Sequence, residues 1–136
     1  MTIDELLENF ELITNWEDRY RVLIDLGRNL PDFPEEAKTE ENRVEGCTSQ
    51  VWLLCNSLPG EPPRIELRAD SDSFIVKGLL AILLLTYSGH TAEEIKRIDI
   101  EDIFRQLGLE QNLSPNRRSG FFATVETIHA LAEKAA

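Results

Sequence analysis

The chain has 136 residues, enough for one domain that buries an ordinary core without disulfide or metal staples. It carries 25 acidic residues against 14 Lys and Arg, a net charge of −11. So acidic a surface repels phosphate backbones and anionic lipid, which sets aside nucleic acid and membranes and favours a protein partner with a basic docking patch, although the same acidity also serves plain solubility.

Two cysteines in unlike surroundings do not make a disulfide framework. Met1-Thr2-Ile3-Asp4-Glu5 is acidic where a secretory leader would be basic. The longest apolar run, Leu79 to Leu85, falls short of the ~20 residues of a membrane helix. The expectation is a cytoplasmic protein in a reducing compartment, where an exposed thiol stays free to react.

In chain order, Thr2 and Glu5 form a capping-box pair before Ile3, Leu6, Leu7, Phe10 and Ile13 at helical spacing. Asn15 and Asp18 start a second helix with Trp16, Tyr20, Leu23, Ile24 and Leu30 on its apolar side. Gly27 weakens its end, and the stretch Pro31 to Pro34 stops it. Glu35 to Glu45 is charged and nearly free of apolar residues, so it reads as a solvated linker.

The linker runs into Gly46-Cys47-Thr48-Ser49-Gln50, and the apolar run Val51-Trp52-Leu53-Leu54-Cys55 follows directly. This places Cys47 at a loop tip just before a strand. Gly46 has no Cβ and is free to take φ > 0 beside the thiol. Thr48 and Ser49 offer hydroxyls to a sulfur anion, and Arg43 is near enough in sequence to favour the thiolate. Cys55 alternates with Val51 and Leu53 and reads as a core residue, since free cysteine packs as a small hydrophobe.

The first strand is apolar on both faces, so something covers its second side. Pro59-Gly60 suits a type II turn into a second strand, where Ile65, Leu67 and Ala69 face inward and Glu66, Arg68 and Asp70 outward. Asp70 to Ser73 makes another tight turn, and Phe74-Ile75-Val76 is predicted as a third short strand. Gly78 to Tyr87 is apolar nearly all round and marks a buried helix ended by Ser88-Gly89. Thr91 and Glu94 cap a short helix through Ile98; Asp99 caps another through Leu107, closed by Gly108 at C′. The expected fold class is α+β: one domain, 1–136, with a small three-stranded antiparallel sheet and helices packed mainly on one face.

Ser114 as N-cap and Pro115 at N1 open the last helix, with Phe121, Val125, Ile128 and Ala132 inward. Arg117 and Arg118 in its first turn oppose the helix dipole, by roughly 0.3–1 kcal/mol each. Either they pair with nearby carboxylates, or they mark a functional site.

A cysteine hydrolase needs a base, and only His90, in a Gly-His-Thr loop, and His129, on the final helix, are present; neither stands in a triad motif. Two cysteines and two scattered histidines do not reach the ligand count of a zinc or cluster site. No glycine-rich phosphate loop occurs. What remains is chemistry that needs one thiolate and a partner.

Arg43-Val44-Glu45-Gly46-Cys47-Thr48-Ser49-Gln50-Val51-Trp52 resembles the cysteine-loop signature of the SufE family, sulfur acceptors of iron–sulfur cluster assembly. Asp70 to Ser73, Ile75 to Leu79, and Leu113-Ser114-Pro115-Asn116-Arg117 with Gly120 also match the family pattern, so the resemblance spans essentially the whole chain. Asn116 stands where a serine is commoner. The resemblance implies a SufE/IscU-like fold and a persulfide on Cys47, with Gly46 letting the loop move and Arg117 engaging the partner. That partner would be a pyridoxal-phosphate cysteine desulfurase of the SufS or CsdA type, and the recipient a SufBCD-type scaffold. The chain itself would hold no cofactor and no metal; the pyridoxal phosphate belongs to the desulfurase. A thiol redox sensor or peroxidase, and an adaptor without covalent chemistry, are the competing readings. The alternating strand leaves an edge that a second copy can pair with, so monomer and homodimer both stay open.

Overall fold

The computed structural model describes residues 1–135. Helix α1 (Ile3–Leu12) and helix α2 (Trp16–Arg28) open the chain. Each starts where a side-chain oxygen takes an orphan amide: Thr2 Oγ1 accepts from Glu5 N–H at 3.2 Å, and Asn15 Oδ1 from Asp18 N–H at 2.9 Å. At the end of α1 the Arg19 guanidinium donates to Phe10 O at 2.7 Å and Ile13 O at 2.9 Å. A fixed cation thereby satisfies carbonyls that the helix cannot.

The architecture is α+β, with an antiparallel sheet in the order β1 (Val51–Leu58), β2 (Arg64–Ser71), β3 (His90–Thr91). Leu53 pairs with Ala69 and Cys55 with Leu67, so the inward residues of the two long strands share a face. Ile65, Leu67 and Ala69 are buried as the alternation predicts. Against that face lie α3 (Phe74–Tyr87) and α7 (Pro115–Ala135), while α4 (Ala92–Arg97), α5 (Ile100–Gln106) and α6 (Leu109–Asn112) link them. Phe121, Val125, Ile128 and Ala132 of α7 are buried, as their spacing requires. Among the described residues no helix is long and apolar enough to cross a membrane.

The structure corrects several expectations. Phe74-Ile75-Val76 is the first turn of α3 and no strand: Ser73 Oγ caps Val76 N–H at 3.4 Å, and the β-branched pair simply begins a buried helix. The third strand is instead His90–Thr91, set up by Gly89 at φ +85°, whose N–H donates to Ile65 O at 2.7 Å.

Nor is the segment from Glu35 to Glu45 a solvated linker. It forms two 3-10 turns, Glu35–Ala37 and Glu40–Asn42, and Val44 is buried. Its Lys38 lies 5.4 Å from the centre of the Trp52 ring and 3.0 Å from Asp70 Oδ2. Trp52 and Asp70 are register partners, so this segment is what covers the outer side of β1. Burial alone would raise the Asp70 pKa, but Lys38, the Ser71 N–H and Lys77 outweigh it and hold the carboxyl below the usual range.

Gly27 acts as a contact rather than a stop. A Cβ there would stand 2.8 Å from Gly78 N, and one on Gly78 would overlap the Leu23 carbonyl. The two glycines let α2 and α3 cross backbone to backbone. Gly78→Ala should therefore cost about 1–3 kcal/mol through overpacking, against the roughly 1 kcal/mol that alanine favours in a helix. Urea denaturation midpoints would show it, and an unchanged midpoint would mean the helices do not meet there.

Candidate functional site

The cysteine loop is closed at its base. Val44 N–H donates to Val51 O at 2.8 Å, Arg43 bridges to Trp52, and both valines are buried. Between them Glu45, Gly46, Thr48 and Gln50 are exposed. The far end is tied to the turn before α3, where Gln50 N–H meets Asp72 Oδ1 at 3.1 Å. Gly46 takes φ +88°, as anticipated, and a Cβ there would sit 3.3 Å from that of Ala123. Glycine is thus required twice, for the backbone angle and for the approach to α7.

This geometry turns Cys47 inward against α7. Its S–H donates to Gly120 O at 3.5 Å, and its Sγ lies 3.9 Å from Thr124 Oγ1. Gly120 permits the approach, because a Cβ there would already touch the sulfur at 3.4 Å. The half-buried thiol stands at one side of a cleft of about 330 Å³. Val51, Leu79, Leu83 and Phe121 are among its apolar lining, and Ser114, Asn116 and Arg117 line it where α7 begins.

Burial pushes the Cys47 pKa up; the Thr124 hydroxyl and the Arg43 guanidinium pull it down, and burial prevails. Arg43 therefore acts in the expected direction but does not win. Thr48 and Ser49 line the cleft without bonding the sulfur, whose polar neighbours come from α7. Sequence reading overlooked Thr124. Its signal was a hydroxyl beside Phe121 and Val125 on the inward stripe of α7, where it is buried.

The two arginines divide. Arg118 reaches Glu110 at 3.6 Å and lies over the Phe104 ring at 5.9 Å. Arg117 is exposed, makes no ion pair among the described residues, and lines the cleft that Cys47 shares. Cys55, expected in the core, is only half-buried; it packs against the core from β1, opposite Leu67, because β1 leaves the covering layer beyond it. His90 sits 3.8 Å from Glu94 Oε1, His129 is edge-on to Tyr87 at 5.6 Å, and neither lines the cleft.

Fold and site define a small α+β protein that offers one thiol from a closed loop beside a cleft. Residues 4–132 match the family described as "SufE: Fe-S metabolism associated domain". An uncharacterized SufE-like protein of Rhizobium meliloti is 44% identical over 133 residues, covering 97% of this chain and 95% of that protein. Another from Rhizobium etli is 44% identical over 134 residues, covering 97% and 90%. The chain belongs to the SufE family, and its role lies in iron–sulfur metabolism. The solution structure of a hypothetical protein from Thermus thermophilus shares the fold, with TM-score 0.78 and 23% identity over 99% of this chain and 98% of that one.

Because burial outweighs Arg43 at the sulfur, Cys47 in the free protein should alkylate with a pH midpoint above that of an ordinary thiol. Arg43→Gln should move the midpoint further up. Iodoacetamide rates against pH, in a Cys55→Ser background, measure both; a downward move in Arg43→Gln would contradict the electrostatic account.

Proposed function

We propose that the chain is a sulfur acceptor. Cys47 takes the outer sulfur of a persulfide held on a cysteine of a pyridoxal-phosphate cysteine desulfurase, stimulates that enzyme by clearing it, and passes the sulfur to a scaffold that assembles iron–sulfur clusters. The observation that carries this reading is the Cys47 thiol on a glycine-hinged loop, beside a cleft whose only lining cation, Arg117, has no carboxylate partner among the described residues. The family's place in iron–sulfur metabolism supports it.

The chemistry needs one thiolate and no external oxidant. Cys47 thiolate attacks the terminal sulfur of the enzyme's Cys–S–SH, the inner sulfur leaves as the enzyme's thiolate, and Cys47 becomes Cys–S–SH. The outer sulfur keeps its oxidation state through the exchange. At rest the half-buried thiol is held protonated, which makes it a poor attacker. Docking extends the loop about Gly46, carries the sulfur out of the burial that raises its pKa, and sets Arg117 against an acidic group of the desulfurase. The exposed acids Glu40, Glu41 and Glu45 beside the loop face a basic surface of the same partner. A thiol peroxidase would want a resolving cysteine at the loop, and Cys55 lies out on β1 instead.

Mixing the protein with a cysteine desulfurase and cysteine, then weighing the intact chain, should show a gain of one sulfur, about 32 Da. The gain should vanish in Cys47→Ser and persist in Cys55→Ser. An adaptor without covalent chemistry would gain nothing and would tolerate Cys47→Ser. Arg117→Ala should leave the melting temperature unchanged, since the side chain is exposed and makes no ion pair among the described residues, and should raise the protein concentration needed for half-maximal stimulation about tenfold. An unshifted half-maximal concentration would remove Arg117 from the docking surface.

A further inference from the structure

Thr124 occupies an unusual place for a hydroxyl. It is 2% exposed, on the inward stripe of α7, and donates to Gly120 O at 2.8 Å. That carbonyl already lies within the α-helical ladder and also receives the Cys47 S–H at 3.5 Å. Such an oxygen suits a protonated sulfur and opposes an ionised one. Once Cys47 loses its proton, Sγ and the carbonyl oxygen face each other as two electron-rich atoms with nothing to share.

Thr124 Oγ1 stands 3.9 Å from Sγ, within reach of a hydrogen bond to sulfur. Rotation about its Cβ–Oγ bond turns the hydroxyl proton from the carbonyl to the sulfur and leaves the carbonyl its helix amide. Among the described residues no other side chain at the sulfur offers this. The part of α3 that lines the cleft is apolar (Val76, Leu79, Leu80, Leu83), and the Thr48 and Ser49 hydroxyls make no bond to Sγ. Of the charged groups around it, Arg43 precedes the loop, Glu45 is exposed within it and Arg117 lines the same cleft from the first turn of α7; of these three, Arg43 acts on the sulfur's titration.

We infer that Thr124 is a positioning residue for the sulfur chemistry: a two-position hydroxyl that bonds Gly120 O while Cys47 is a thiol and turns to Sγ when Cys47 becomes an anion. This deepens the sulfur-acceptor reading and rests on it. The hydroxyl sets how much thiolate is present while the loop lies against α7, which is the state a docking partner first meets. Ionisation sends the thiol proton to solvent, and the hydroxyl keeps its own.

The test uses the full chain with Cys55→Ser and no partner, following iodoacetamide alkylation of Cys47 against pH. Thr124→Val is isosteric and lacks the donor. Its profile should move to higher pH, with the rate near neutrality falling about three- to tenfold, while the rate at the alkaline plateau stays that of the parent. Thr124→Ser should restore the parent profile, which a purely structural threonine would not require. Thr124→Ala should move the profile as valine does, and serves if valine disturbs folding. An unmoved profile in the valine or alanine variant, or a serine variant that behaves like valine, would overturn the assignment. Alkylation involves no desulfurase, so this outcome stands apart from the mass measurement. Sulfur gain with an unmoved profile removes Thr124 alone, and absence of sulfur gain removes the acceptor reading whatever the profile shows.

Discussion

The site depends on one backbone closure, Val44 N–H to Val51 O, between two buried valines. It fixes both ends of the Glu45–Gln50 loop where the sheet begins, so the loop inherits the rigidity of β1 at its base and keeps freedom at its tip. An amide bond shielded from water by apolar side chains is costly to open, because each group would lose its partner without gaining a solvent one. The closure also covers part of the free edge of β1, which would otherwise invite pairing with another strand. From that base, Gly46 and Gly120 bring sulfur and helix together, one by its backbone angle and the other by its missing side chain.

Protection and reactivity pull against each other at Cys47. The same burial that places the sulfur against α7 keeps it protonated, and a protonated thiol neither attacks a persulfide nor oxidises readily. On the sulfur-acceptor reading this is a resting state that a partner undoes by drawing the loop out. Loop and partner would then share the work: the chain would supply a guarded thiol and the exposed Arg117 cation, and the enzyme would supply the sulfur and the environment in which it moves. On the same reading the acidic surface would act over a longer range, raising the rate at which a basic partner is met and weakening with salt.

Several features were legible from residues alone because they are local. Caps at Thr2, Asn15, Thr91 and Asp99, the alternation of β2, the positive φ of Gly46 and Gly108, and the inward stripe of α7 each follow from a few neighbours in sequence. The misread segments were those whose meaning comes from elsewhere in the chain. Phe74-Ile75-Val76 has strand composition, but the cap at Ser73 and the apolar run beyond it continue a helix. The 35–45 stretch looks solvated by composition, yet the Lys38 ammonium stands over the Trp52 ring and meets Asp70 with the same charge, so the segment is held against β1. Gly27 reads as a weak helix end until Gly78 is placed against it.

By itself, then, the sequence determined the fold class, the family and the identity of the exposed-loop cysteine, since periodicity, capping and a contiguous motif are properties of neighbouring residues. Only the tertiary structure decided what surrounds the sulfur. Gly120 and Thr124 lie more than seventy positions away, Arg118 is taken by Glu110 while Arg117 makes no ion pair among the described residues, and burial outweighs a nearby arginine. Those outcomes depend on distances across the core and on how far water is excluded, and neither quantity is written in local spacing.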